Sequence, residues 1–286
     1  MTTQSKTELA VGRGGRGDTA RRTAAQAQRR RPVPYTLISW IAPLALLLLW
    51  EALVRTGVIP PRVLPAPSKV LGTAWELIRS GDLPRHLLVS LRRALIGFSI
   101  GASVGLGLGF VVGLSRLAEA VIDRPIQMIR TVPFLALIPL VIVWFGIGEE
   151  AKVFLVALGV TFPIYINTVL GIRQVDPKFI ELGRNYGVSQ RQLIQQVVLP
   201  GALPSILVGL RYGLGTSWLA LVVAETVGAT AGIGFLAMDA REFLRTDVIV
   251  VAIIVYALLG VLVDVFIRWL ERRLLVWHPN YTTRPR

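Results

Sequence analysis

Residues 94–115 read ALIGFSIGASVGLGLGFVVGLS, 22 positions without a charge. As a helix rising ~1.5 Å per residue, this stretch is about 33 Å long, enough to cross a hydrocarbon core of about 30 Å. Gly97, Gly101, Gly105, Gly109 and Gly113 recur every fourth residue and so fall on one helical face. Without side chains there, another backbone can come close. Two readings stay open: packing of helices within the chain, or a contact between subunits or sliding surface used in transport.

Three more uncharged runs occupy residues 32–50, 131–148 and 153–172. A buried helix of a large soluble protein reads this way once, not four times. The composition agrees: 17% of residues are charged, against about 25% in soluble domains. Two further apolar stretches are less clean. Residues 203–227 are interrupted by Arg211 and Glu225, and the run from Val248 meets Asp264. The expectation is an all-α membrane protein of about six spans, at 34–54, 94–115, 131–148, 153–172, 203–227 and 248–267. Pro133, Pro139 and Pro163 predict kinks, since each removes a backbone hydrogen bond. Residues 68–80 carry Val70, Leu71, Trp75, Leu77 and Ile78 at helical spacing, and predict a helix along the membrane surface. Residues 1–33, rich in Arg, Gly, Ala, Gln and Thr, read as a disordered basic tail, and 279–286 as a second tail. Gly12, Gly14 and Gly17 fit a dinucleotide-binding pattern but lack the strand and helix that pattern needs.

The net charge of +14 does not indicate nucleic-acid binding. The basic residues lie between apolar spans, where they orient a membrane protein. With both termini cytoplasmic, 21 Lys and Arg fall inside and 10 outside. Seven of the ten lie in residues 55–93, which run against the trend. The chain has no cysteine, so disulfides and thiolate metal sites are excluded. Its four lysines follow Ser5, Ser68, Ala151 and Pro177, so none belongs to a P-loop, which needs Gly before the Lys. His86 and His278 are far apart, no zinc-type cluster is present, and no catalytic residue or metal site is expected. Glu225 and Asp264 leave an ion-gradient-driven transporter as the rival reading, because ionisable residues in spans are functional by default.

Against that rival stands Asp176–Pro200, between the fourth and fifth spans. Asp176 is a good N-cap and Pro177 suits the first helical position. Gly187 is placed to close the helix in the left-handed conformation. Ser189 and Gln192 read as a capping box for a second helix, which Pro200 is expected to end. The spacing predicts a helix–turn–helix at the membrane surface with an exposed apolar face, and such a face usually has a partner.

Glu181-Leu182-Gly183, Gly187 and Val197-x-Leu199-Pro200 resemble the loop of permease subunits of ABC importers of the type I class, whose pattern is Glu-Ala-Ala, three residues, Gly, nine residues, Ile-x-Leu-Pro. Leu182, Gly183 and Val197 depart from the residue types, but the spacing is kept. The resemblance runs from about Trp40 to His278. Gln127-Met128-Ile129-Arg130, Trp144-Phe145-Gly146-Ile147-Gly148 and Ala240-Arg241-Glu242-Phe243-Leu244 look like the branch serving sulfonates, taurine and nitrate, nearest to aliphatic sulfonate permeases.

The resemblance implies a bacterial inner-membrane permease working as a homodimer. Two cytoplasmic ATPase subunits would hold ATP and Mg, this chain itself carrying no cofactor, and an extracytoplasmic solute-binding protein would deliver the solute. Residues 176–200 would form the coupling helix. Glu181 would orient it, Gly187 permit its turn, and Val197, Leu199 and Pro200 fix the exit into the fifth span. Glu225, Arg211, Arg241 and Arg245 are the candidates for a gate or pathway. Glu225 reads equally well as a helix-packing cap, and Arg241 and Arg245 equally well as contacts for the binding protein.

Overall fold

A computed structural model describes residues 35–277, which are helical with no strand among them. The expected tails at 1–33 and 279–286 lie outside the described residues. The chain divides after Val58. The first unit holds α1 (Tyr35–Arg55), 21 residues that coincide with the first expected span. The second unit, from Ile59, holds α2 (Pro67–Ser80), α3 (Asp82–Leu114), α4 (Arg116–Arg130), α5 (Ile138–Phe145), α6 (Glu149–Arg173), α7 (Pro177–Asn185), α8 (Gln190–Thr226), α9 (Ile233–Glu242) and α10 (Thr246–Leu274). Within it, α3, α6, α8 and α10 are each long and apolar enough to cross a membrane.

The five glycines of the α3 stripe, Gly97, Gly101, Gly105, Gly109 and Gly113, face α6. A Cβ on Gly97 would come within 2.6 Å of Val156, one on Gly105 within 2.7 Å of the Thr161 carbonyl, one on Gly109 within 2.6 Å of Thr168, and one on Gly113 within 2.7 Å of Ile172. Gly101 lies equally tight against the Ala157 carbonyl. The partner positions rise with the glycine positions, so α3 and α6 run parallel. The opposite holds between α6 and α8: Gly171 meets Ala202, Gly209 meets Asn167, Gly213 meets Ile164 and Gly159 meets Ala220. These two helices are antiparallel, with α6 held between α3 and α8. Val156, Val160, Ile164 and Leu221 fill that core.

Because α3 and α6 run parallel, the chain has to cross back between Leu114 and Glu149. It does so through α4 and the Phe134–Phe145 segment, bent by 91°. The apolar run at 131–148, where Pro133 and Pro139 predict kinks, is thus the second arm of a bent pair that begins at Arg116. Phe134–Leu137 is a 3-10 turn and α5 has 8 residues. Pro133, with no amide proton to donate, lies at the bend between the two helices. Gly146, at φ +72°, closes α5. Pro139 sits in the first turn of α5, where its missing donor costs nothing. Pro163 lies inside α6, which continues through it.

The other boundaries also move. The third helix begins at Asp82, so Arg93, expected in an external loop, is buried within it. The surface helix forms as α2, but Val70 and Leu77 are buried against α9 and α10, leaving Leu71, Trp75 and Ile78 exposed. Most consequential, Pro200 does not end a helix. Residues 190–226 form one continuous helix. Its Ile194–Val198 turn has π geometry just before the proline, widening where the ring would clash with the Gln196 carbonyl four residues back.

Candidate functional site

The loop between α6 and α7 puts Asp176 at the start of α7, where its carboxylate accepts from the Lys178 amide at 2.9 Å. Gly187 takes φ +72°, and the Val188 amide donates back to the Gly183 carbonyl at 3.0 Å. Ser189 and Gln192 form the reciprocal capping box, with the Ser189 amide donating to Gln192 Oε1 at 3.1 Å. These local signals work as the sequence predicts, because each is a neighbour-to-neighbour hydrogen bond.

Packing then fixes α7 against the start of α8. Leu193 is buried under Gly183, where an added Cβ would press on the end of the Leu193 side chain. Ile180 and Val197 pack on Ile172, Val175, Val198 and Ile206. The outward face is apolar and uncovered: Phe179 is 60% exposed and Tyr186 79%, with Leu182 between them. Glu181 is exposed and forms no ion pair among the described residues. Leu199 is partly exposed, and Pro200 lies inside the continuous helix.

At the other end of α8 lies a cluster of buried charge. Arg93 donates from Nε to Glu149 Oε2 at 2.6 Å and from Nη1 to Glu225 Oε1 at 2.8 Å, and Nη1 also reaches the Ala231 carbonyl at 2.6 Å. Glu225 accepts further from Ser90 Oγ at 2.7 Å and from the Gly234 amide at 2.9 Å. Ser90 Oγ in turn accepts from the Ile233 amide at 2.8 Å. Glu225 is 1% exposed and Arg93 3%. Gly232, at φ +124°, has no room for a Cβ beside the Glu225 carboxylate. Lys152 donates to the carbonyls of Ile147 and Gly148 at 2.8 and 3.0 Å and lies 4.0 Å from Glu149. Two cations face two carboxylates, and the hydrogen bonds satisfy them, which is the condition for burying charge at tolerable cost. The cluster ties together α3, α6, α8 and α9 at the end opposite α7.

The other expected pathway residues lie apart from it. Arg211 bridges α8 to α10, 2.8 Å from Glu271 and 3.8 Å from Asp264. Asp264 also pairs with Arg268. Arg241 and Arg245 are exposed, and Arg245 lines a surface cavity of about 540 Å³ with Asp82, His86 and Asp239. Sequence reasoning missed Arg93, Ser90 and Glu149. They lie 56 to 143 residues from their partners, so no local pattern announces them. No group of three or more His, Cys, Asp or Glu placed to hold a metal occurs among the described residues.

A bundle with one broken span and a glycine-packed helix pair, and an exposed helical loop continuous with a long apolar helix, is an arrangement suited to a membrane transport subunit. The chain belongs to the family of binding-protein-dependent transport system inner membrane components, which matches residues 101–276. It is 57% identical to the putative aliphatic sulfonates transport permease protein SsuC of Escherichia coli (strain K12), over 85% of this chain and 92% of that one. Identity is 44% to the protein of the same name in Bacillus subtilis (strain 168), over 91% and 95%. It is 37% to the taurine transport system permease protein TauC of E. coli, over 87% and 93%. Among solved structures, an inward-facing conformation of the MetNI methionine ABC transporter matches with a TM-score of 0.53 and 22% identity, over 68% of this chain and 95% of that one; this likeness concerns the fold. The protein is thus a multi-pass inner-membrane permease of the ABC importer class.

Proposed function

We propose that the chain is the transmembrane subunit of an ATP-driven importer of aliphatic sulfonates. The observation that carries the substrate is the 57% identity to a relative named for aliphatic sulfonates, over nearly the whole of both chains. In this reading two copies form the pathway within lipid, and each binds a cytoplasmic ATPase through α7 and the start of α8. ATP and Mg reside on the ATPase, and a solute-binding protein docks at the opposite face. Both termini are cytoplasmic, and residues 34–278 form the transmembrane domain. The directions of α6, α8 and α10 support the placement of the C-terminal end, because they put the end of α10 on the same side as the 176–200 loop.

The mechanism follows from the continuity of α8. ATP and the loaded binding protein shift the equilibrium because each favours the outward-facing state. Closure of the ATPase pair moves α7, and the contact of Gly183 with Leu193 passes that motion to α8. At ~1.5 Å per residue, the 37-residue helix reaches roughly 55 Å to Glu225. Gly187 permits the turn, Val197 fastens it, and the π turn before Leu199 and Pro200 keeps the helix unbroken. Glu181 stands exposed beside the apolar face, as a contact for the ATPase. The Arg93–Glu225–Glu149 cluster latches the outer ends together. Arg211 braces α8 on α10, and Arg241 and Arg245 face the binding protein.

The test is growth of the source bacterium on butanesulfonate as sole sulfur source, with and without the gene, alongside uptake by the reconstituted transporter. Loss of growth on deletion, restored by the gene, is expected. Unchanged growth together with absent uptake retires the sulfonate reading. Taurine as competitor in the same assay checks the alternative raised by the taurine permease relative.

A further inference from the structure

Along the spans Arg93, which is buried, and Arg211, which is half-buried, are paired, whereas Arg130, exposed at the mouth of a cavity, is not. Arg93 binds Glu149 and Glu225, and Arg211 binds Glu271. Arg130, at the end of α4, has no hydrogen bond or ion pair among the described residues. It lines a cavity of about 370 Å³ in the elbow where α4 turns into α5. The cavity also touches Leu158 and Phe162, midway along α6, and Leu219 on α8. Arg130 therefore stands near half the membrane depth, where an ionisable side chain without a partner marks a functional site by default.

The chemistry of the lining narrows the ligand. Arg130 is its one charged residue, and Phe134, Leu137, Phe162 and Leu219 form apolar walls. The two hydroxyls present are already committed as donors: Thr131 to the Met128 carbonyl at 2.7 Å and Thr216 to the Gly213 carbonyl at 2.9 Å. Only the guanidinium is left to donate from a side chain. Its planar fork suits the oxygens of an oxyanion, and the walls suit an alkyl chain. One placed cation in a mostly apolar cavity of this size is the usual form of a small-molecule site.

We propose that this elbow cavity is a binding site within the permease for a small organic anion with a short alkyl chain, its head group on Arg130 and its chain against Phe134, Leu137 and Phe162. The proposal deepens the sulfonate-import reading and rests on it for the choice of probe. It gives the permease a selectivity of its own, for chain length, beyond that of a binding protein. A buried methylene changes affinity by roughly fourfold, so butanesulfonate binds more than tenfold tighter than ethanesulfonate, and nitrate, with no chain, binds weakest.

The experiment uses the permease with its ATPase partner in nanodiscs, without binding protein, titrated calorimetrically with butanesulfonate, ethanesulfonate and nitrate. Arg130→Gln is expected to weaken butanesulfonate binding at least tenfold and Arg130→Lys to retain part of it. Leu219→Trp, which fills the cavity and leaves Arg130 in place, is expected to abolish it. Equal binding by the parent and Arg130→Gln overturns the proposal, as does affinity independent of chain length. Separation of the Arg130→Gln complex into subunits by native mass spectrometry also overturns it, since Arg130 then serves an interface. Uptake with the binding protein present separates the two readings. Arg130-dependent binding without butanesulfonate uptake sinks the import reading alone; uptake without Arg130-dependent binding sinks the site alone.

Discussion

At one end of the bundle Arg93 and Glu225 are charged and buried; at the other, Phe179, Leu182 and Tyr186 are apolar and exposed. Each arrangement reverses the usual rule for its residue types. The charged end is complete in itself, because ion pairs and backbone amides from within the chain satisfy it. The apolar end has no cover among the described residues, and in the reading proposed above the ATPase supplies one. Buried charge without a partner would destabilise the fold, whereas an uncovered aromatic face costs the fold little and offers a docking surface. The first end concerns stability and the second assembly, and α8 joins them.

Substitutions that separate stability from assembly can break this contrast. The largest effect is expected for Arg93→Met, which strands Glu225 without its cation. Loss of one member of a buried pair costs about 3–5 kcal/mol, read as a fall in unfolding midpoint in detergent; an unchanged midpoint would show the cluster to be incidental. Next is Phe179→Asp. Folding stability should stay within ~0.5 kcal/mol, as for a surface substitution, while affinity for the ATPase falls roughly 30-fold or more, as for loss of an aromatic anchor. A pull-down that recovers the ATPase undiminished would contradict the docking role.

Gly187→Val comes third. A β-branched residue at φ +72° costs about 1–2 kcal/mol locally, so uptake and stimulated ATP hydrolysis are lost while membrane insertion persists. Gly187→Asn, which tolerates this conformation, retains most activity. Smallest is Glu149→Gln. The Glu149 side chain is 62% exposed, so stability should change by less than about 1 kcal/mol. Its effect belongs in the conformational equilibrium instead, as a higher outward-facing fraction in distance measurements between spin labels.

Much of the loop was legible because its determinants are local. Asp176, Gly187, Ser189 and Gln192 each act on a residue within five positions. The helices over 94–115 and 153–172 were legible as uninterrupted apolar runs, and the last one as a run from Val248 that meets Asp264. Pro133 signalled a kink, but the size of the bend was not legible, since residues 131–148 stay apolar through it and hydropathy does not register a change of direction. Pro200 misled for the opposite reason. Its helix-breaking tendency is real, but one wide turn at 194–198 absorbs the clash, and packing of Val198, Ala202 and Ile206 holds the helix on both sides. The ionic cluster was half visible. Glu225 stood out as a charge in an apolar run, while Arg93 and Glu149 sat at the margins of such runs and looked like ordinary flanking charges.

The glycine stripe of α3 has a consequence for how the protein is made. The last of its partners on α6, Ile172, follows Gly113 by 59 positions. At ~5–20 residues per second, that interval lasts roughly 3–12 s. Throughout it α3 sits in the bilayer with a bare backbone groove that lipid tails fill poorly. Force measurements on ribosome-bound chains of increasing length should register the pull of this pairing only after α6 has emerged. For some seconds of every synthesis, the nascent permease holds a half-built seam open in the membrane.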